Sequence, residues 1–297
     1  MNKLANNQEV RKMKFHKFEA HTTNKIYKIK PIEFFNNTVY KRLDFLLGFV
    51  KKKNEKIFED YVNQMIVDFQ SLSEFSTLGD YTISNLANYK NISSNMNLAQ
   101  LHGDLLRQIL GISMEQANCD IEIEVPSRIY WRAVILTKIY QLVSLINAIG
   151  RKDAIELFKK YLDQYYVHTK SSFKHYETLD ELYKEHLEDA KTSKNNEFTV
   201  TSSSVENGVY IIRNDNCPAV EALDDIEDKE LIYVVICYPD YKWAEMTNEH
   251  FVMTRKYTVA EGDPYCDKVI HDKRIDKELK HPSKEFFDNM DLNFEKN

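Results

Sequence analysis

Between about residues 31 and 190 the apolar positions recur at intervals of three and four, as in Val39, Leu43, Leu46, Leu47 and Val50. That spacing lines one face of an α-helix and predicts five to seven amphipathic helices. The stretch VPSRIYWRAVILTKIYQLVSLINAIG is expected to form one long helix, opened near Pro126 and closed at Gly150, because proline suits a first turn and glycine a C-terminus. RKDAIELFKKYLDQYY starts its partner, so residues 126–166 read as a helical hairpin.

The period changes after a polar linker at 190–196. Short β-rich runs at 197–203 and 208–213 flank Glu206-Asn207-Gly208, a hairpin turn signal. A second strand pair is expected at 250–259 and 265–271, joined by AEGDP, where Gly262 and Pro264 punctuate the chain. Between the pairs, KELIYVVICYPDYKWAEM has the β-branched run of a strand but the position of a packed helix, and Pro239 requires that any helix begin or kink there. If the stretch is helical, Cys237 and Asp240 share a face; if extended, they point apart. The fold class read from these patterns is α+β: a mostly helical N-terminal region followed by a small antiparallel sheet with packed helices. The expected division is a helical region at 1–115, an α+β domain at 116–275 holding the hairpin, linker and sheet, and a polar tail at 276–297.

Composition narrows the classes. With 297 residues, 43% of them hydrophobic, the chain can bury a substantial core. The net charge of -6 is spread as interleaved acids and bases, which argues against nucleic acid as the main partner. Lys138 and the flanking Arg132 and Arg151 interrupt the longest apolar run, so no membrane partner is expected. The opening residues lack the apolar core of a secretory signal, and a cytoplasmic location is the expectation. Cys119, Cys217, Cys237 and Cys266 lie far apart with no CxxC pair, which favours free thiols.

The most patterned segment carries an ordered set: Cys217-Pro218, Cys237 with Asp240, Asn248, Phe251, Arg255, Thr258, Glu261-Gly262 and Cys266-Asp267. In order and spacing, residues 208–271 resemble the L-2-amino-thiazoline-4-carboxylic acid hydrolase family, and AVILTKIYQ and GRKDAIELF are similar to the family's preceding region. The chain departs from the family pattern near Arg132, where an acidic residue is usual, and at Lys268, where an aromatic one is. The resemblance implies a small-molecule hydrolase of amino-acid or specialised metabolism. Water adds at the amidine-like carbon of a cyclic C-N-S substrate and the ring carbon–sulfur bond breaks.

Such a substrate calls for an anion clamp, a nucleophile and a proton donor. Arg255 offers a planar fork for the carboxylate, or else a plain salt bridge on a strand. Cys237 is the candidate nucleophile if its thiolate is populated; direct water attack with Asp240 or Glu261 as base is the alternative. Cys217, Cys266, Asp267 and Thr258 are further candidates for the substrate-binding wall, although Cys217, like Cys119, also suits simple packing. Cys266 and Asp267 are adjacent and, in a strand, face opposite sides, so only one lines a pocket.

No cofactor is required. If Cys217, Cys237 and Cys266 converge, zinc becomes an alternative with His250 or His271 as fourth ligand. His168 and His175 are expected at the surface. A non-catalytic ligand- or metal-binding module, with cysteine spacing similar to vinyl-reductase-type domains, is the competing function. Self-association through the N-terminal helices is a third reading.

Overall fold

The computed structural model describes residues 13–20, 25–72, 89–117, 119–192 and 197–290. The chain is α+β and divides into two compact units: Ile26–Tyr165 with Glu221–Ile226, and Met1–Lys25 with Tyr166–Val220 and Glu227–Asn297.

The first unit is mainly helical. Helix α1 runs end to end through Pro31–Phe35, a π-turn at Asn36–Tyr40 and Lys41–Lys53. It is followed by α2 (Glu55–Leu72), α3 (Met96–Leu110), α4 (Ser127–Ile149) and the start of α5 (Arg151–His168). The expected face of Val39, Leu43, Leu46, Leu47 and Val50 is buried. Gly111 and Gly150 follow the ends of α3 and α4 with positive φ, the backbone that glycine adopts at low cost.

By length and composition alone α4 is sufficient to cross a bilayer. Here it packs against α2 and α3, which accounts for its apolar residues on several sides. Tyr61 of α2 donates to the Gln141 carbonyl of α4 at 3.0 Å. Arg132 forks onto the Asp225 carboxylate at 2.6 and 2.7 Å. One departure from a purely helical reading is a two-stranded ribbon, Ile26–Ile29 with Ile123–Pro126. Its second strand comes from IEIEV, whose alternation has the period of a strand.

The second unit is built on an antiparallel sheet of five strands. In chain order they are β1 (Phe15–Phe18), β2 (Val200–Ser203), β3 (Val209–Asn214), β4 (Phe251–Thr254) and β5 (Cys266–Asp272), and the spatial order is β1-β2-β3-β5-β4. Both expected strand pairs form, and the N-terminal segment adds the edge strand β1. Asn207 (φ 51°) and Gly208 (φ 75°) make the tight turn between β2 and β3.

Alternation along the strands sorts the side chains onto two faces. One face carries Tyr210, Ile212, Met253 and Ile270, covered by Leu179 and Leu182 of α6 (Leu179–Thr192) and by Ala244 of the helical piece Pro239–Thr247. The other carries Phe15, Ile211 and Val269, covered by Phe287 and Met290. The polar tail therefore drapes over the sheet as far as residue 290, with a short helix α8 at Lys284–Asp288.

Helix α7 decides the ambiguous segment in favour of helix. It runs through Lys229–Ile232, a π-turn at Tyr233–Cys237 and Pro239–Thr247, with Pro239 at the start of the last piece. The proline lacks an amide to donate, and the wider turn before it absorbs the irregularity. On the tail side of the sheet a string of polar groups runs from Asp267 to His281 (2.8 Å), Thr254 (2.8 Å), His271 (2.9 Å) and Asp276 (2.6 Å).

Candidate functional site

A cavity of about 510 Å³ lies within the second unit, between the inner face of the sheet and helices α6 and α7. Period-two alternation aims Ile212, Lys268 and Ile270 at it from β3 and β5, and α7 contributes Asp240 and Trp243. Its polar wall consists of Lys268, Asp240, His186, Asp189, Ser202, Tyr210 and Asn214.

Two charges line its floor and a third lies behind them. Lys268 Nζ lies 2.9 Å from Asp240 Oδ2, and Arg255 donates to the same oxygen from behind. Arg255 gives a second hydrogen bond to the Cys237 carbonyl at 3.0 Å. Its side chain is 1% exposed and Asp240's is 31% exposed. Burial alone would raise the Asp240 carboxyl, but Lys268 and Arg255 outweigh it and hold the group below the usual carboxylate range. Burial likewise opposes the Arg255 charge, and Asp240 reverses that effect and holds the guanidinium firmly protonated. Asp240 is therefore an anion spent on two cations, and so a weak base.

His186 stands on α6, seven residues after Leu179 and four after Leu182, on the helix face turned to the sheet. Its Nδ1 lies 3.1 Å from the Tyr210 hydroxyl, and its ring stacks on Trp243 with centroids 6.3 Å apart. Burial pulls its pKa below the ordinary histidine value, with Asp189 and Lys268 acting in opposite senses. The ring is neutral at pH 7, with Nδ1 held and Nε2 left for a ligand.

Helix α7 puts Cys237 and Asp240 on one face, as the helical option required, and the three thiols Cys217, Cys237 and Cys266 come within electrostatic reach of one another. None lines the cavity. Cys237 is 4% exposed. Burial pushes its thiol far up, and Arg255 only partly offsets this. Cys217 is pushed up to about 11 and Cys266 also upward, burial being the main cause for both. At neutral pH these are thiols, short of the thiolate that nucleophilic attack needs. Among the described residues no group of three or more His, Cys, Asp or Glu is arranged to hold a metal. His271 points to the tail side between Thr254 and Asp276, and His250 is half-buried beside Glu249.

The other sequence candidates take local structural positions. Thr258 caps the turn Val259–Glu261, receiving the Glu261 amide and donating to the Glu261 carboxylate at 2.8 Å. Glu261 itself is exposed. Asp267 faces away from the cavity, as its parity with Val269 requires; it accepts from the amides of Lys256 and Tyr257 and meets His281. His168 and His175 are exposed. The cation on the cavity wall is thus Lys268 and not Arg255, whose fork is occupied.

The sequence reading did not place His186, Tyr210 or Lys268 in the site; Lys268 stood out only as a departure from the family pattern. Lys268 was recoverable from strand parity with Ile270, and His186 from its spacing after Leu182. The pairing of α6 with the sheet, which makes both matter, is non-local. No curated protein and no solved structure matches the chain. The stretch that supplies Cys237, Asp240, Arg255 and Lys268, together with the preceding helices from Arg128, matches a family model: residues 128–269 are similar to L-2-amino-thiazoline-4-carboxylic acid hydrolase.

Proposed function

We propose that this protein is a hydrolase that opens the ring of a thiazoline carboxylic acid, and that the reaction takes place in the cavity of the sheet unit. The family match points to a hydrolase acting on a thiazoline carboxylic acid. The observation that carries the proposal is the meeting, on one cavity wall, of a lysine able to hold a carboxylate with a neutral histidine that has one nitrogen unengaged.

Lys268 holds the substrate carboxylate while Asp240 and Arg255 fix its position from below. His186 takes a proton from water as the water oxygen bonds to ring carbon C2, the carbon between nitrogen and sulfur, and the ring nitrogen takes up a proton. The C2–S bond then breaks and its electron pair leaves with sulfur, which takes the imidazolium's proton, while the new C2 hydroxyl becomes the carbonyl and releases its proton to solvent, balancing the one the ring nitrogen took up from solvent. The net change is addition of one water, giving an N-carbamoyl cysteine with a free thiol.

This assignment favours direct water attack over a Cys237 adduct, because the Cys237 thiol is buried and protonated. Incubation with 2-aminothiazoline-4-carboxylate or a 2-substituted analogue, followed with a thiol reagent, tests the activity. Absence of thiol release from every thiazoline carboxylate tried overturns it.

A further inference from the structure

The cavity is larger and more apolar than the simplest ring acid needs. 2-Aminothiazoline-4-carboxylate has roughly nine non-hydrogen atoms. Even at the ~30 Å³ that liquid water takes per heavy atom, it fills no more than about 270 Å³. The cavity measures about 510 Å³. Its polar groups are outnumbered by hydrocarbon: Trp243, Tyr166, Phe18, Phe198, Val200 and Met253 line it alongside the charged floor. A pocket of that kind leaves apolar walls facing water, and a ligand with its own apolar part would cover them.

The electrostatics agree with the shape. On the lining itself Lys268 stands with two carboxylates, Asp240 and Asp189, and Arg255 lies behind Asp240, so the charges balance and Lys268 is the lining cation that can meet a carboxylate. A protonated 2-amino group, by contrast, would have to leave water for a wall of aromatic rings, with Asp189 as the one lining carboxylate not already paired with a lysine or arginine among the described residues.

We infer that the substrate is a thiazoline-4-carboxylate whose C2 bears an aromatic or branched alkyl group in place of the amino group, with the carboxylate at Lys268 and the substituent among Trp243, Phe198 and Tyr166. This rests on the hydrolase reading of the same cavity. The chemistry is unchanged: the water oxygen bonds to C2, the C2–S bond breaks, one water hydrogen ends on nitrogen and one on sulfur, and the product is an N-acyl cysteine. A 2-phenyl ring acid has roughly fourteen non-hydrogen atoms, or about 420 Å³ on the same scale, which the cavity accommodates.

The test compares 2-phenyl- and 2-aminothiazoline-4-carboxylate as substrates by thiol release, using the full-length protein. It also compares binding of the non-hydrolysable aromatic analogues, 2-phenyl- and 2-aminothiazole-4-carboxylate, by calorimetry. We expect kcat/KM and affinity to favour the phenyl compound by at least roughly tenfold, the scale of burying one ring. Ala190→Trp, which puts an indole into the chamber, should cut that preference by about the same factor.

Turnover of the amino compound at equal or greater efficiency overturns the inference and leaves the hydrolase reading standing. No turnover of either compound, with tight and selective binding of the phenylthiazole, overturns the hydrolase reading and supports the ligand class. Failure of both analogues to bind overturns the inference whatever the turnover.

Discussion

Replacing Asp240 with asparagine removes one negative charge from a site where it answers two positive ones. Arg255 has its side chain 1% exposed, and its Nε already lacks a hydrogen-bond partner. Taking away the carboxylate leaves a guanidinium that water cannot reach. Breaking a buried pair by removing one partner costs about 3–5 kcal/mol. The 31% exposure of Asp240 and the oxygen that asparagine keeps for Arg255 put the expected loss near the lower end, about 3 kcal/mol.

Urea unfolding at pH 7, followed by tryptophan fluorescence in a Trp131→Phe background, isolates the signal of Trp243 beside the cavity. The midpoint should fall with the slope unchanged. The dependence on pH has a definite sign. The Asp240 carboxyl titrates lower in the folded protein than in the unfolded chain. Its contribution is therefore fully present above the unfolded value of about 3.9 and is lost as pH falls through the lower folded value. The gap between parent and variant is thus constant from pH 7 to about 5 and narrows in acid. A loss under about 1 kcal/mol at pH 7, or a gap that widens in acid, refutes the reasoning.

Lys268→Met should raise KM and lower kcat/KM about 10- to 100-fold, the worth of one charge-assisted hydrogen bond of about 1.5–3 kcal/mol; an effect on kcat alone contradicts a clamp. For His186, kcat/KM should rise with pH through a pKa below the ordinary histidine value and be flat by pH 7, and His186→Asn should abolish that limb and cost about 10²- to 10⁴-fold. Cys237→Ala should keep turnover within about threefold with its fold intact by circular dichroism, whereas loss of turnover restores the covalent mechanism. Gly208→Ala should lower stability by about 1–3 kcal/mol in thermal unfolding, since φ there is 75° and the new Cβ would sit 2.7 Å from Ile275 Cβ; an unchanged midpoint refutes it.

Local pattern carried much of the second unit. Alternation in Val209–Asn214 and Cys266–Asp272, with a turn at Asn207-Gly208, is enough to draw the central hairpins and to put Cys266 and Asp267 on opposite faces. The same parity held the answer for Lys268, but a lysine beside a Cys-Asp motif draws less notice than the motif. Strand β1 and the tail helix depend on partners some 190 and 70 residues away in sequence, Phe15 pairing with Ser203 and Arg213 donating to the Phe287 carbonyl. Such contacts leave little trace in a window of a dozen residues. The thiols show the opposite case. Their order along the chain was conspicuous, yet only burial reveals that Cys237 lies beneath the floor and not upon it.

The string Asp267–His281–Thr254–His271–Asp276 has four links, each of which needs a hydrogen. Two neutral imidazoles and one hydroxyl supply three. The Thr254 hydroxyl faces both rings with a single hydrogen, so with both imidazoles neutral one of the four links always lacks its hydrogen, and the seam between strand edge and covering tail is held by three bonds shared among four places.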